Sequence, residues 1–182
     1  MSNSTSYTVP GLSTDEGDRI AALLQDRLNA YNDLHLTLKH IHWNVVGPNF
    51  IAVHEMIDPQ VEAVRGFADD VAERIATLGS SAKGTPGTIV EQRSWDDYSI
   101  GRATAIEHLG ALDLVYVGVI GDTRKAIDEI GKIDPITEDM LIGQSAQLEL
   151  FHWFVRAHLE NSGGQLSTSG ASSENEAANN AG

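Results

Sequence analysis

The apolar positions of the chain recur at helical spacing in four long stretches. In the first stretch they follow one another every three or four positions over about seven turns, which predicts one long amphipathic helix. Ser13 and Glu16 stand before it in the S-x-x-E order of a capping box, and Gly47 and Pro48 end it. The predicted core residues of this helix are Ile20, Leu24, Leu28, Tyr31, Leu34, Leu38, Ile41 and Val45.

A second helical stretch begins at Asn49, a residue type that favours the N-cap position. It runs to Leu78, just before Gly79, which is a typical helix-ending residue. Pro59 lies inside the stretch. Because proline lacks a backbone N–H, the helix either kinks at Pro59 or begins later than Asn49.

Two more helices are predicted after a long connection over residues 79–97. This connection is rich in glycine, serine and proline and contains a short apolar piece around Ile89. The third helix is predicted over residues 99–130 and the fourth over residues 136–159. Four long amphipathic helices predict an all-α four-helix bundle, and the long second connection favours a ferritin-like crossover over a simple up-and-down chain.

The two ends of the chain differ in composition from the helical stretches. Residues 1–12 are small and polar with a Pro-Gly turn, which predicts an extended N-terminal arm before a bundle over residues 13–160. Residues 161–182 are polar, low in complexity and almost free of large apolar side chains. We therefore expect a disordered C-terminal tail.

The net charge of the chain restricts its partners. Among 182 residues, 12 are lysine or arginine and 26 are aspartate or glutamate, which gives a formal net charge of −14. Such a surface repels nucleic acid and anionic membranes unless basic residues cluster, and here they are scattered. The chain has no apolar stretch of membrane-spanning length, no N-terminal leader pattern and no cysteine, which fits a cytoplasmic location.

Histidines and carboxylates near the Gly-Pro break form the clearest chemical pattern. His42 and His54 flank the break, and Asp58 follows His54 by one helical turn. Asp69 and Glu73 form a second pair at the same spacing, on the same face of the predicted helix but roughly 16 Å further along it. Because one metal ion cannot reach both pairs, we expect two copies to pack antiparallel and to share two equivalent sites.

These side chains allow more than one interpretation. Two imidazoles and up to three carboxylates suit Fe(II), Mn(II) or Zn(II) better than Cu(I) or Ca(II). A single histidine or a single carboxylate pair, however, is more typical of helix packing or of a solvated face. Glu149 and His152 form the chain's one Glu-x-x-His motif, whereas a di-metal site inside one bundle uses two. We therefore interpret Glu149 as a surface acid and His152 as a packed histidine.

Several segments carry a resemblance to a known family. They are YNDLHLTLKHIHWNVVGPNFIAVHEMIDPQVE, FADDVAERIATLG, KGTPG, SWDDY and WFVRAHLE. Together with the spacing of the five candidate ligands, they resemble the Dps family of mini-ferritins, the DNA-binding proteins from starved cells, and most of all its actinobacterial members. The resemblance covers about residues 7–160.

The resemblance implies a fold, an assembly and an activity. The fold would be a four-helix bundle with a short helix in the long second connection, and twelve copies would form a hollow shell. A ferroxidase centre would lie at the twofold interface, with His42, His54 and Asp58 from one subunit and Asp69 and Glu73 from its neighbour. It would oxidise Fe(II), preferably with hydrogen peroxide, and the shell would store ferric oxide and so limit oxidative damage.

The resemblance also implies a route for iron into the shell. Members of the family place aspartates at threefold pores near the start of the last helix, where this chain has Asp134 and Asp139. These two residues would line an iron-entry pore. The alternative explanation is a solvated helix N-terminus, which favours acidic residues in any protein.

The termini depart from the DNA-binding members of that family. Those members commonly bind DNA through tails rich in lysine and arginine, whereas residues 1–18 and 157–182 of this chain contain neither. We therefore expect a ferroxidase that does not compact DNA by itself. Two alternatives stay open: a nucleoid-packing DNA-binding protein with a vestigial metal site, and a hydrolase that uses a metal-bound water at the same interface.

Overall fold

A computed structural model describes residues 6–182 of the chain, and most of these residues are helical. The four long helices and the short helix of the second connection are all present. In chain order the elements are α1 (Thr14–Asn44), β1 (Val45–Val46), α2 (Phe50–Thr77), α3 (Pro86–Gln92), β2 (Ala103–Thr104), α4 (Ala105–Ile130), α5 (Pro135–Leu159) and α6 (Glu174–Ala181).

The bundle consists of two helical hairpins joined by a long crossover. Helix α1 packs along α2, and α4 packs along α5. The crossover carries α3, which packs against α1. Strands β1 and β2 pair in parallel, with Val45 opposite Ala103, and so tie the end of α1 to the start of α4. The predicted all-α bundle with a short helix in its second connection is confirmed.

The core lies between the apolar faces of the four long helices. All eight residues predicted as the core face of the first helix are at most 3% exposed, so its periodicity is confirmed. Tyr116 of α4 is fully buried, and its hydroxyl donates a hydrogen bond of 2.5 Å to Gln60 Oε1 of α2. The one polar atom of this large side chain is therefore satisfied inside the core.

The start of α1 and the course of α2 follow from local chemistry. Ser13 and Glu16 form the predicted capping box, in which Ser13 N donates to Glu16 Oε2 at 2.8 Å and Ser13 Oγ accepts from Glu16 N at 3.3 Å. Asn49 occupies the N-cap position of α2 but makes no side-chain capping bond. Pro59 lies inside α2 and does not divide it, since the helix continues to Thr77.

The predicted start of the third helix was wrong by six residues. We placed it at Ser99, whereas α4 begins at Ala105. Thr104 and Glu107 form a second capping box there, with Thr104 N donating to Glu107 Oε2 at 2.8 Å. Strand β2 precedes this cap, so the chain is extended where the apolar pattern alone predicted helix.

The C-terminal residues are ordered, contrary to our expectation. Helix α6 lies on α4, and Ala177 and Ala178 are buried. Gly110 of α4 allows this close approach, because an added Cβ there would lie 2.6 Å from the backbone oxygen of Ala177. Thr168 Oγ1 also donates to Asp113 Oδ2 at 2.6 Å. Specific contacts and small side chains thus hold a segment whose composition is that of a disordered tail.

The N-terminal arm is only partly described. Residues 6–12 form turns without helix or strand, and the remainder of the predicted arm lies outside the described residues. Over residues 6–182, no helix combines the length and the apolar character that crossing a bilayer requires.

Candidate metal centre

His42 and His54 form a stacked pair at the junction of α1 and α2. His42 lies in the last turn of α1, and the turn through Gly47, with its φ of +95°, brings the first turns of α2 back against it. The imidazole centroids are 3.6 Å apart and the ring planes differ by 23°. The two rings therefore lie within reach of one ligand.

Reciprocal hydrogen bonds fix the orientation of both rings. His42 Nδ1 lies 3.0 Å from the carbonyl oxygen of His54, and His54 Nδ1 lies 2.9 Å from the carbonyl oxygen of His42. A carbonyl oxygen can only accept, so each Nδ1 carries the proton in these bonds. In a neutral imidazole held in this way Nε2 carries the lone pair, which is the arrangement that metal-binding histidines show.

Asp58 stands beside this pair with a lysine as its partner. Its Oδ1 lies 3.2 Å from His42 Nδ1 and accepts a hydrogen bond of 2.7 Å from Lys39 Nζ. That hydrogen bond, helped by the nearby histidines, holds the pKa of Asp58 below its ordinary value. Asp58 is therefore an ionised carboxylate next to two imidazoles, and about half of its side chain faces solvent.

Sequence reasoning missed Lys39. It lies three residues before His42, on the same face of α1, and this spacing was the available signal. Its ammonium group competes with any cation for Asp58 Oδ1.

Asp69 and Glu73 do not join the histidine pair within one chain. Both are exposed on α2, well beyond Asp58 along the helix. Over residues 6–182, no three histidine, aspartate or glutamate side chains are placed to hold a metal ion together. One chain therefore supplies two separate parts of the candidate site.

An exposed apolar surface surrounds the histidine pair. Trp43 beside His42 is 71% exposed, and Ile51 and Phe50 at the start of α2 are also exposed. The Phe50 ring lies 4.9 Å from the His54 ring, measured between centroids. Large apolar side chains grouped around a polar site are typical of a surface that another chain covers.

Glu149 and His152 have separate partners, as their interpretation requires. Glu149 Oε1 forms an ion pair of 2.6 Å with Arg124 Nη2. His152 is buried, and its Nε2 lies 2.6 Å from Asp113 Oδ1, whose other oxygen accepts from Thr168. The interpretation of a surface acid and a packed histidine is confirmed.

The two aspartates at the start of α5 lie in different surroundings. Asp134 is 5% exposed, forms an ion pair of 2.6 Å with Arg74 and caps α5 by accepting from the backbone N–H of Ile136 and Thr137. A carboxylate that lines a pore faces solvent, whereas the carboxylate of Asp134 is bound to the start of α5 and to Arg74. Asp139 is exposed.

Comparison with known proteins places the fold in a class. A family model described as the ferritin-like domain matches residues 21–162. The bundle, its crossover and the histidine–carboxylate pattern therefore belong to a ferritin-like protein.

Individual relatives narrow this class. The "DNA protection during starvation protein" of Mycolicibacterium smegmatis is 63% identical over 177 residues, which are 97% of each chain. The solved structure of DpsA14 from Streptomyces coelicolor is 66% identical, covers 90% of this chain and 97% of that one, and superposes with a TM-score of 0.89. Dps from Microbacterium arborescens, solved in a high iron form, is 28% identical with a TM-score of 0.77 and covers 86% of this chain and 100% of that one. The chain belongs to the Dps family.

Proposed function

We propose that this protein is a ferroxidase and an iron store. It oxidises Fe(II) at a site that two subunits share, and it keeps the ferric product inside a shell of twelve copies. The observation that carries the proposal is the stacked His42–His54 pair, whose rings are fixed through Nδ1 and stand next to an ionised Asp58. Membership of the ferritin-like Dps family supports iron as the metal.

Iron is the substrate in this proposal, and the five side chains divide its binding between two chains. His42, His54 and Asp58 contact the ion from one subunit, while Asp69 and Glu73 reach it from the neighbour. The imidazoles hold Fe(II) without neutralising it, and the carboxylates favour the higher charge of Fe(III). Hydrogen peroxide is the preferred oxidant, and it takes one electron from each of two ferrous ions and two protons to give water.

The acidic surface supports iron uptake and argues against DNA binding. A net charge of −14 per chain attracts Fe(II) and repels DNA phosphates at long range. Asp139, which is exposed near the start of α5, is our candidate for an iron-entry pore. We propose further that the protein works in the cytoplasm and protects against oxidative damage there.

The test is anaerobic addition of Fe(II) to the purified protein, followed by peroxide, with the ferric product recorded optically. The wild type should oxidise iron rapidly and keep it soluble. A His42→Ala/His54→Ala variant should lose about tenfold or more in rate, because both neutral ligands are gone. His158→Ala is the matched control, since His158 is exposed in the last turn of α5 and should leave the rate unchanged.

Two results would contradict the proposal. One is a wild-type rate equal to that of protein-free buffer. The other is equal loss of activity in the double variant and in His158→Ala. Turnover of an ester or amide with bound Zn(II), in a protein inactive towards iron, would instead favour the hydrolase alternative.

A further inference from the structure

A cavity lies between α1 and α4, away from the candidate metal centre. Its volume is about 530 Å³, which is within the range of small-molecule sites in proteins. One wall is apolar, with Leu34 from α1 facing Leu114 and Val119 from α4. Residues 95–99 and residues 172–175 complete the lining.

Arg27 of α1 is the unusual residue of this cavity. It lines both this space and an adjoining one of about 380 Å³. Arg27 is only 6% exposed, and its Nη1 has no hydrogen-bond partner. Over residues 6–182, no carboxylate lies within ion-pair distance of its guanidinium group. By contrast, Asp33 and Asp122 of the same cavity form ion pairs with Arg93 and Lys125. Since arginine does not lose its proton, a buried positive charge stands uncompensated.

Two of the carboxylates that line this cavity with Arg27 have other partners. Asp33 accepts a hydrogen bond of 2.7 Å from Trp95 Nε1 and a longer one from Arg93. Asp122 of α4 pairs with Lys125 at 2.8 Å. Neither of these carboxylates forms an ion pair with Arg27, which leaves its guanidinium group available to an anion from another molecule.

The C-terminal segment forms part of the cavity wall. Glu174 Oε2 accepts hydrogen bonds from Ser99 N at 2.7 Å and from Ser99 Oγ at 2.9 Å, and Asn175 Nδ2 donates to Ser99 Oγ at 3.2 Å. These bonds hold residues 172–175 over the opening. A ligand in the cavity would therefore contact both the crossover and the C-terminal segment.

We propose that this cavity binds a small amphipathic carboxylate. Its single negative charge pairs with Arg27, and its apolar body lies along the Leu34–Leu114–Val119 wall. A neutral ligand would leave Arg27 uncompensated, and a multiply charged anion would meet the carboxylates of Asp33 and Asp122. The carboxylates of Asp96, Asp97 and Glu174 line the cavity as well and add to this preference for a single negative charge. This proposal is independent of the iron chemistry.

The first experiment is titration calorimetry of the assembled, full-length, iron-free protein with octanoate at physiological salt. We expect saturable binding with one site per subunit. Octanamide has the same apolar body without the charge, and we expect it to bind about tenfold more weakly or worse. Absence of saturable octanoate binding, or equal binding of the two compounds, would overturn the proposal.

Variants then test whether Arg27 supplies the positive charge that binds octanoate. Arg27→Met should weaken octanoate binding about tenfold or more and abolish the preference over octanamide. Arg102→Met, a change at an exposed arginine outside the cavity, should leave both unchanged. Unchanged octanoate affinity in Arg27→Met would overturn the assignment.

If Arg27→Met does not assemble, the melting temperature of the wild type and an Arg27→Lys variant test the proposal instead. Octanoate should raise the melting temperature of the wild type, since it binds only the folded protein. Arg27→Lys keeps the charge but loses the planar fork, so it should keep the preference for octanoate at reduced affinity. A melting temperature of the wild type that does not respond to octanoate would contradict the proposal.

Discussion

Two backbone carbonyls decide the chemistry of the histidine pair. Each imidazole donates its Nδ1 proton to the carbonyl oxygen of the other histidine, so the tautomer and the ring orientation are set before any metal arrives. A site prepared in this way loses little side-chain freedom on binding, which favours both affinity and a defined geometry. This arrangement requires the tight turn at Gly47, whose positive φ suits glycine.

The spacing of the candidate ligands could be read from the sequence, but their partners could not. Helical geometry alone places His54 and Asp58 on one face and separates them from Asp69. The ammonium group of Lys39 on Asp58 depends on how α1 and α2 pack, and the local pattern does not specify that packing. The same holds for Asp134, whose pairing with Arg74 joins residues 60 positions apart.

The Asp134–Arg74 pair leads to a prediction about stability. Asp134→Asn should destabilise the protein by about 3 kcal/mol, because it leaves the buried Arg74 without its counter-charge. Asn is still an adequate N-cap, so the loss reports mainly the ion pair. Asp139→Asn, at an exposed position of the same helix, should change stability by less than about 0.5 kcal/mol. Denaturant unfolding at matched protein concentration measures both.

The Asp134–Arg74 ion pair also makes the stability difference between wild type and Asp134→Asn depend on pH. Burial by itself would raise the pKa of Asp134, but hydrogen bonds from Thr137, Arg74 and the backbone of Ile136 outweigh burial and hold that pKa below its ordinary value. A lowered pKa in the folded state means that the stabilisation is present above about pH 4 and is lost as the pH falls through the folded-state pKa. The gap between wild type and Asp134→Asn should therefore narrow in acid. A stability difference that grows in acid would contradict the lowered pKa of Asp134.

Helix boundaries show where local chemistry decides more than periodicity. The capping box of α1 predicts its start correctly, and Thr104 with Glu107 carries the same signal for α4. The third helix was misplaced because the apolar pattern extends into residues 99–104, which instead include strand β2. That strand pairs with β1 from a distant part of the chain, a contact that short-range pattern cannot reveal.

Helix α6 illustrates the limit of composition as a guide to order. Its residues are polar or small and would not fold alone. They are ordered here because Gly110 lets the helix approach α4 closely and because Thr168 and Glu174 find specific partners. Order at this end of the chain is therefore a tertiary effect.

Gly110 provides a direct test of this account of α6. Gly110→Ala should release α6 and destabilise the protein by about 1–3 kcal/mol, since the new Cβ would clash with backbone atoms of Ala177. Gly121→Ala in the same helix has no atom within 4 Å of the added Cβ and should be neutral or stabilise by up to about 1 kcal/mol. Limited proteolysis followed by mass spectrometry measures release of the C-terminal segment. Equal protease resistance in the two variants would argue against the close contact.

At the scale of the whole molecule, the acidic surface charge bears on DNA binding. Neither the described part of the N-terminal arm nor the C-terminal segment carries a lysine or an arginine. DNA affinity of proteins comes largely from phosphate contacts by basic side chains, with release of counterions. The acidic charge of this chain therefore opposes compaction of DNA.

A gel-shift assay with linear duplex DNA tests this expectation. We expect no retardation of the DNA by the assembled protein, both at about 50 mM and at about 200 mM salt. Retardation at low salt that disappears at the higher salt would reveal a basic contact surface and would support the nucleoid-packing alternative.

We propose that the iron site is complete only between two subunits. Mixed assemblies of two impaired variants test this: His42→Ala/His54→Ala and Asp69→Ala/Glu73→Ala are unfolded together and reassembled in equal amounts. Random pairing makes half of the dimers mixed, and each mixed dimer combines one intact site with one doubly damaged site. The account predicts recovery of about a quarter of the wild-type rate of Fe(II) oxidation, with none when the variants are assembled separately and then combined. A mixture that stays inactive after verified co-assembly would show that all five ligands act within one chain, or that they do not form one site.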